Sequence, residues 1–236
     1  MTDAKVLPAK GQVDYLADKQ STAARIFLAA ERQFADRGFD GVSVRDIVQD
    51  AQVNLAAVSY HFGSKSELLL AVFGARTKEM NRERRGLLRE AEAKYDGAPP
   101  LEAILRALLG PPILWRDPAC GKDTASRFIS RAIAEATPEL RKILETDVRH
   151  LTGFLAPLAR ALPGLSETDV CWALHFAVGV PHQCTDTNFK RLEALSAGRA
   201  DTSDVQAVLD RAVSFALGGV QALQADRATT ASRRAS

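Results

Sequence analysis

The sequence predicts an all-α protein, with a three-helix N-terminal head followed by a larger helical C-terminal domain. Three observations carry this. The 236 residues include 39 Ala and 27 Leu against 16 Val and 7 Ile; Ala and Leu lead the helix scale, whereas β-branched residues favour strands. From about Ser21 onward, apolar residues recur at three- and four-residue steps, the period of an amphipathic helix. Ser, Thr and Asn at helix starts and Gly and Pro at helix ends punctuate the periodic stretches.

Residues 1–18 carry Pro8 and Gly11 and no clear period, and are read as a flexible arm. Ile26, Phe27, Ala30 and Phe34 form the stripe of a first helix, which Gly38 ends. Ser43 opens a short second helix with Asp46 in its first turn and Val44, Ile47, Val48 and Ala51 on its buried face. Gln52 and Val53 make a tight connection. Asn54 then caps a third helix from Leu55 to about His61, with Leu55 and Val58 facing inward and Gly63 ending it. Ser64-Lys65-Ser66-Glu67 is a capping box; it starts a fourth helix that reaches about Lys94, ahead of Asp96-Gly97-Ala98-Pro99-Pro100.

Beyond Pro100 the pattern stays helical. One segment runs from Leu101 to Leu109 and stops at Gly110-Pro111-Pro112, and residues 111–121 form an irregular connection or a short apolar segment. Another helix spans Lys122 to Ala136. Thr137-Pro138-Glu139 starts a helix that reaches Leu162 with a bend at Pro157. Ser166 begins a helix carrying Trp172, Leu174, His175, Phe176 and Val178 before Pro181; residues 186–202 read as a polar loop; Ser203 to about Gln224 is a last amphipathic helix. The expected organisation is an arm (1–18), a head (19–66), a linking helix (67–96), a C-terminal domain (97–225) and a disordered tail (226–236).

Composition narrows the class further. At 46% hydrophobic the chain is too apolar to be disordered. Its 31 basic and 29 acidic residues give +2, without the basic footprint expected of a nucleic-acid binder. Residues 21–75 hold five bases and six acids, and residues 76–94 hold seven bases and four acids. Three scattered cysteines do not make a disulfide framework, and the N-terminus has no apolar signal-peptide core. The longest apolar runs fall far short of the ~20 residues that span a bilayer. A soluble cytoplasmic protein with no membrane partner is expected. No glycine-rich phosphate loop, nucleophile elbow or paired acids with a catalytic His is present, so neither an enzyme nor a cofactor is expected.

Residues 21–62 have the layout of a helix-turn-helix, whose second short helix enters the DNA major groove. Small Ala56 and Ala57 permit close approach to base edges, and Asn54, Ser59, Tyr60 and His61 supply polar groups beside them. The stretch 25–73 resembles the N-terminal domain of the TetR family of bacterial transcriptional regulators: Ala30 and Phe34 before Gly38-Phe39, Val42-Ser43-Val44 with Ile47, Val53, Tyr60-His61-Phe62, and Ser64-Lys65 with Leu68. It departs from the family at Gln52, where glycine is usual. A positive φ without glycine costs roughly 1 kcal/mol or more, so the turn is either shifted or slightly strained.

The resemblance implies roles for particular residues. Ser43 and Lys65 lie at helix starts and resemble the family's phosphate-contacting positions, where helix N-termini already favour an anion, and Val44, matched in the same motif, is counted with the DNA-binding candidates. Tyr60 and His61 resemble a pair that touches backbone and nearby bases, and Arg45, Asn54, Ala56, Ala57 and Ser59 are the variable positions for sequence readout. It also implies a homodimer on double-stranded operator DNA and a C-terminal domain that takes a small-molecule effector. The helices expected over 167–185 and 203–224 are the candidates for the dimer surface. Trp115, Phe128, Phe154, Trp172, His175 and Phe176 are the candidate effector pocket, with Arg127 and Arg131, one turn apart near Phe128, for an anionic head group; core packing is the competing reading for each aromatic and surface charge for the two arginines. The run from Leu162-Pro163 through Trp172, His175-Phe176 and Gly179 is similar to family members that respond to fatty acids or acyl-CoA. The alternatives are a metal or thiol sensor using Cys171, His175, His182 and Cys184, although their spacing matches no compact metal motif, and an activator rather than a repressor.

Overall fold

The structure, a computed structural model, describes Tyr15, Asp18 and residues 20–235, with side chains as far as Ala225. It divides into two compact units, residues 1–75 and 76–236, and no strand occurs among the described residues. Most of the expected arm lies outside the described residues. Tyr15, placed in that arm, instead packs its ring on Phe27 at 5.9 Å and on Phe62 at 5.0 Å.

In the first unit, α1 (Thr22–Arg37), α2 (Val44–Ala51) and α3 (Leu55–His61) pack on one another. Ile26, Phe27, Ala30, Phe34, Ile47, Val58 and Phe62 form the core between them. At eight and seven residues, α2 and α3 are too short to persist alone. Caps and burial hold them. Ser43 and Asp46 form a reciprocal capping box on α2: the Ser43 hydroxyl accepts from the Asp46 amide at 3.2 Å, and the Asp46 carboxylate accepts from the Ser43 amide at 2.7 Å. Asn54 Oδ1 accepts from the Ala57 amide at 3.0 Å and so caps α3.

α4 (Lys65–Lys94) runs unbroken through residue 75 into the second unit. There α5 (Leu101–Leu114), α9 (Leu155–Ala161), α10 (Glu167–Gly179) and α12 (Val205–Ala235) share an apolar core that includes Leu105, Leu108, Phe154, Leu174, Leu209 and Val213. α12 lies along α5. α6 (Asp123–Ala134), α7 (Pro138–Thr146), α8 (Arg149–Thr152) and α11 (Asp186–Ser196) complete the unit.

Four boundaries differ from the sequence expectation. α5 does not stop at Gly110 but passes through Pro111 and Pro112 to Leu114. Pro112 has no N–H for the Leu108 carbonyl four residues back, and the Arg84 side chain supplies the missing donor at 2.9 Å. The single helix expected from Pro138 to Leu162 is three helices, broken at Asp147–Val148 and Gly153–Phe154. Pro157 falls in the first turn of α9, where its absent N–H has no helical partner to lose. The expected polar loop 186–202 contains α11, which Thr185 caps and Ala197 closes in the left-handed region at φ 52°. Arg116 holds this helix by pairing with Asp186 at 3.0 Å and lying 4.3 Å from the Phe189 ring centroid. α12 continues past Gln224 to Ala235, through a stretch without Gly or Pro.

Candidate nucleic-acid interface

The α2–α3 turn takes the strained alternative. Gln52 sits at φ 53°, ψ 48°, so the turn keeps its geometry and a non-glycine residue bears the cost. The turn is tied back to α1 by Arg25, whose guanidinium donates to the Gln52 carbonyl at 2.9 Å. Val58 is the one residue of α3 buried against the unit, and Phe62 follows it into the core. Leu55, Ala56, Ser59 and Tyr60 therefore face outward together, with Tyr60 83% exposed. Leu55, expected to face inward, is 52% exposed because the helix begins at it and only Val58, one turn on, meets the core.

The other candidate residues surround this face. Ser43 and Arg45 are exposed on α2, and Val44 is half-buried beside them. Asn54 is exposed with its Oδ1 committed to the cap, which leaves its amide N–H groups outward. Ala57 and His61 are half-buried, and the His61 ring meets Tyr60 edge-on at 4.9 Å. Ser43 holds the Asp46 carboxyl below its ordinary range, by hydrogen bonds from its hydroxyl and its amide.

Lys65 differs most from expectation. Its ammonium turns inward, donating to the carbonyls of Phe39 and Val42 at 2.8 Å each and lying 4.0 Å from the Phe39 ring centroid. It closes the 39–42 loop with two of its three N–H bonds. Sequence reasoning missed this clamp. The signal was a loop, Phe39–Val42, with carbonyls that no helix satisfies.

In the second unit the candidate pocket residues separate into two groups. Trp115, Phe128 and Phe154 are fully buried. The Trp115 indole N–H donates to Glu83 at 2.7 Å, and Lys122, bonded to Glu83 and 3.1 Å from Glu79, lies over its ring. Trp172, His175 and Phe176 do not join them. Trp172 and Phe176 are one turn apart on the outer face of α10, 53% and 58% exposed, with rings stacked at 5.4 Å and His175 beside them. Val170, Ala173, Leu174 and Ala177 already fill the inner face of that helix. Arg131 also faces solvent, paired with Glu135 at 2.8 Å. Cys171 is exposed and Cys184 half-buried, and no group of three or more His, Cys, Asp or Glu is placed to hold a metal ion among the described residues.

A helix-turn-helix head with an outward second helix, followed by a helical second unit, is the layout of a DNA-binding transcriptional regulator. Residues 26–72 match the family described as bacterial regulatory proteins, tetR family, and residues 106–219 match the tetracyclin repressor-like C-terminal domain. The chain is 31% identical over 159 residues to the HTH-type transcriptional dual regulator CecR of Shigella flexneri, covering 64% of this chain and 69% of that one. It is 30% identical over 172 residues to the HTH-type transcriptional repressor AcnR of Corynebacterium glutamicum, covering 64% and 90%. At 18% identity, the structure of the regulator FadR from Bacillus subtilis in complex with stearoyl-CoA shares the fold, with a TM-score of 0.54 over 80% of this chain and 97% of that one. The chain belongs to the TetR family and is a transcriptional regulator, not an enzyme. Among the described residues no helix is long and apolar enough to cross a membrane.

Proposed function

We propose that this regulator is a cytoplasmic homodimeric repressor that holds double-stranded operator DNA through α3 and releases it when a small apolar or amphipathic effector enters residues 76–236. The outward face of α3 carries this reading. Leu55, Ala56, Ser59 and Tyr60 point to solvent while Val58 and Phe62 fix the opposite side. In the groove, Ser59, Tyr60 and the Asn54 amide are the polar contacts, Leu55, Ala56 and Ala57 the close apolar ones, and Arg45, Ser43, Val44, His61 and the last N–H of Lys65 lie along the phosphates.

One head offers few contacts, so two copies are required. The exposed aromatics support a dimer face on α10 and α12, where Trp172, Phe176 and Phe215, the last 77% exposed, lie outside a filled core. Apolar surface of this kind marks an interaction site. Buried Trp115, Phe128 and Phe154 are the residues an effector meets on entering the second unit.

The test is selection of DNA from a random pool on the full chain, followed by gel shift and nuclease protection. Two protected half-sites roughly 34–36 Å apart are expected. Tyr60→Ala should weaken binding at least tenfold without changing the melting temperature. Failure to retain any sequence at low salt overturns the reading. Activation is the second reading, favoured by the name of the Shigella relative, a dual regulator.

A further inference from the structure

In a helix-turn-helix the second short helix meets the base edges, and the side chains of α3 restrict which edges it can read. The helix carries no Arg, Lys, Gln, Asp or Glu. Guanine is read by a bidentate Arg or Lys on O6 and N7, adenine by an Asn or Gln amide that donates to N7 and accepts from N6, and cytosine by a carboxylate that accepts from N4. Asn54, which caps α3, does not complete the adenine pair. Its Oδ1 already accepts from the Ala57 amide at 3.0 Å, so towards a base it only donates. Ser59 and Tyr60 each bring one outward hydroxyl, which donates or accepts and so does not by itself choose between base pairs. His61 is half-buried with its ring against Tyr60. Two apolar groups remain. Leu55, a large aliphatic side chain, is 52% exposed, and Ala56 beside it is exposed as well. Val58 and Phe62 close the core on the opposite side, which leaves the outward surfaces of Leu55 and Ala56 for the groove.

We infer that α3 recognises thymine by its C5-methyl group, so that each operator half-site carries thymines opposite Leu55 and Ala56. The inference rests on the reading that α3 enters the major groove of operator DNA, and it names the bases met there. The thymine methyl is the one methyl group that a base pair presents in that groove. Against Leu55 or Ala56 it leaves water together with the side chain, a gain that needs no polar partner. Cytosine at the same place sets its N4 amino donor against a side chain with no acceptor, and a donor left unpaired costs binding. Thymine O4, on the carbon next to the methyl, is an acceptor. The outward N–H groups of Asn54, the residue before Leu55, are donors of the kind it needs.

The experiment uses the full chain and the DNA that it selects from a random pool. Each thymine of the selected half-sites is replaced in turn by uracil, in both half-sites at once, and affinity is read by gel shift. Uracil keeps every hydrogen-bonding group of thymine and lacks only the methyl. Losing one buried methyl corresponds to about a threefold to fivefold weakening, so a symmetric pair should cost roughly tenfold to twenty-fivefold at the thymines facing Leu55 and Ala56. Thymines elsewhere should tolerate uracil. Leu55→Ala should weaken binding to the thymine operator and abolish the uracil penalty at one of these positions, a coupling that the double-mutant cycle measures. Leu55→Met, apolar and of similar reach, should keep the penalty. The uracil probe leaves the protein unaltered, so a folding defect in Leu55→Ala does not blunt the test. Half-sites that share no thymine, uracil tolerated at every position, or a penalty that Leu55→Ala leaves intact at every position overturns the proposal. Two protected half-sites that are indifferent to uracil sink the methyl inference and leave the helix-turn-helix reading standing; retention of no sequence at all sinks both.

Discussion

Lys65→Met tests whether this lysine is a clamp, a DNA contact or both. Methionine keeps the length and apolar character of the stem and removes the ammonium. Two bonds at 2.8 Å to the Phe39 and Val42 carbonyls are lost, together with the approach to the Phe39 ring. Hydrogen bonds from a charged donor contribute on the order of 1.5–3 kcal/mol each when sheltered, and the ring contact about 0.5–1. Lys65 is only half-buried, so the sum is discounted to about 2–3 kcal/mol for solvent competition. For a chain of this size that lowers the melting temperature by roughly 4–12 °C. Circular dichroism is the assay, because both tryptophans, Trp115 and Trp172, lie outside residues 1–75. DNA binding is then measured well below the melting point. If the third N–H also meets a phosphate, the slope of log affinity against log salt falls by about 0.9 per copy. An unchanged melting temperature with weakened DNA binding refutes the clamp. No change in either removes both roles.

Gln52→Gly should raise stability by about 0.5–1 kcal/mol, the relief of left-handed strain less the entropy glycine restores to the unfolded chain; a lower urea midpoint would contradict the φ of 53° assigned to this residue. His150 gives a pH prediction. Burial first, then the Arg84 charge, depress its pKa below 6.5, against a smaller opposing pull from Asp147. The unfolded chain then binds the proton at a higher pH than the folded one, so its contribution is intact above 6.5 and is lost as pH falls from there toward the folded value. Urea midpoints of the wild type should drop between pH 7.5 and 5.5, and less steeply in His150→Gln; equal slopes would show that His150 is not the group responsible.

The head was legible because its signals are local. Ser43 with Asp46, Asn54 before Leu55, and Ser64 with Glu67 are caps written within three residues of where they act, and each is made as the pattern implies. The second unit was less legible because its decisive partners are distant in sequence. Gly110-Pro111-Pro112 is a strong local stop signal, and it is overridden from 24 residues away by a side chain that supplies the missing donor. Residues 186–202 carry too few apolar positions to show a helical period, and Arg116, 70 residues earlier, anchors the helix there. Trp172 and Phe176 are at a spacing that suits a core as well as a surface stripe. Only the filling of the opposite face by Ala173, Leu174 and Ala177 decides that they point outward. Periodicity finds an apolar face without saying what covers it.

The near-neutral charge of the head has a consequence for how such a regulator lets go. Of the five bases between residues 21 and 75, Arg25 is bound to the Gln52 carbonyl, Arg32 to Asp50, Arg37 to Asp46, and Lys65 to two carbonyls. Arg45 alone has no acid or carbonyl partner among the described residues. Counterion release counts cations that reach phosphates, so a dimer gripping through these heads with Arg45, with or without Lys65, has two to four of them, and its salt slope should lie at roughly −2 to −4. Proteins with six to ten phosphate contacts depend far more steeply on salt. Arg45→Ala should remove close to half of a slope at the upper end of that range and nearly all of one at the lower end. A wild-type slope steeper than about −6, or one that Arg45→Ala leaves unchanged, would mean that bases outside residues 21–75 hold the DNA. With so little non-specific attraction, affinity depends on both α3 helices meeting their half-sites together. On the repressor reading proposed above, an effector that spoils that match would leave little electrostatic binding to keep the protein on DNA.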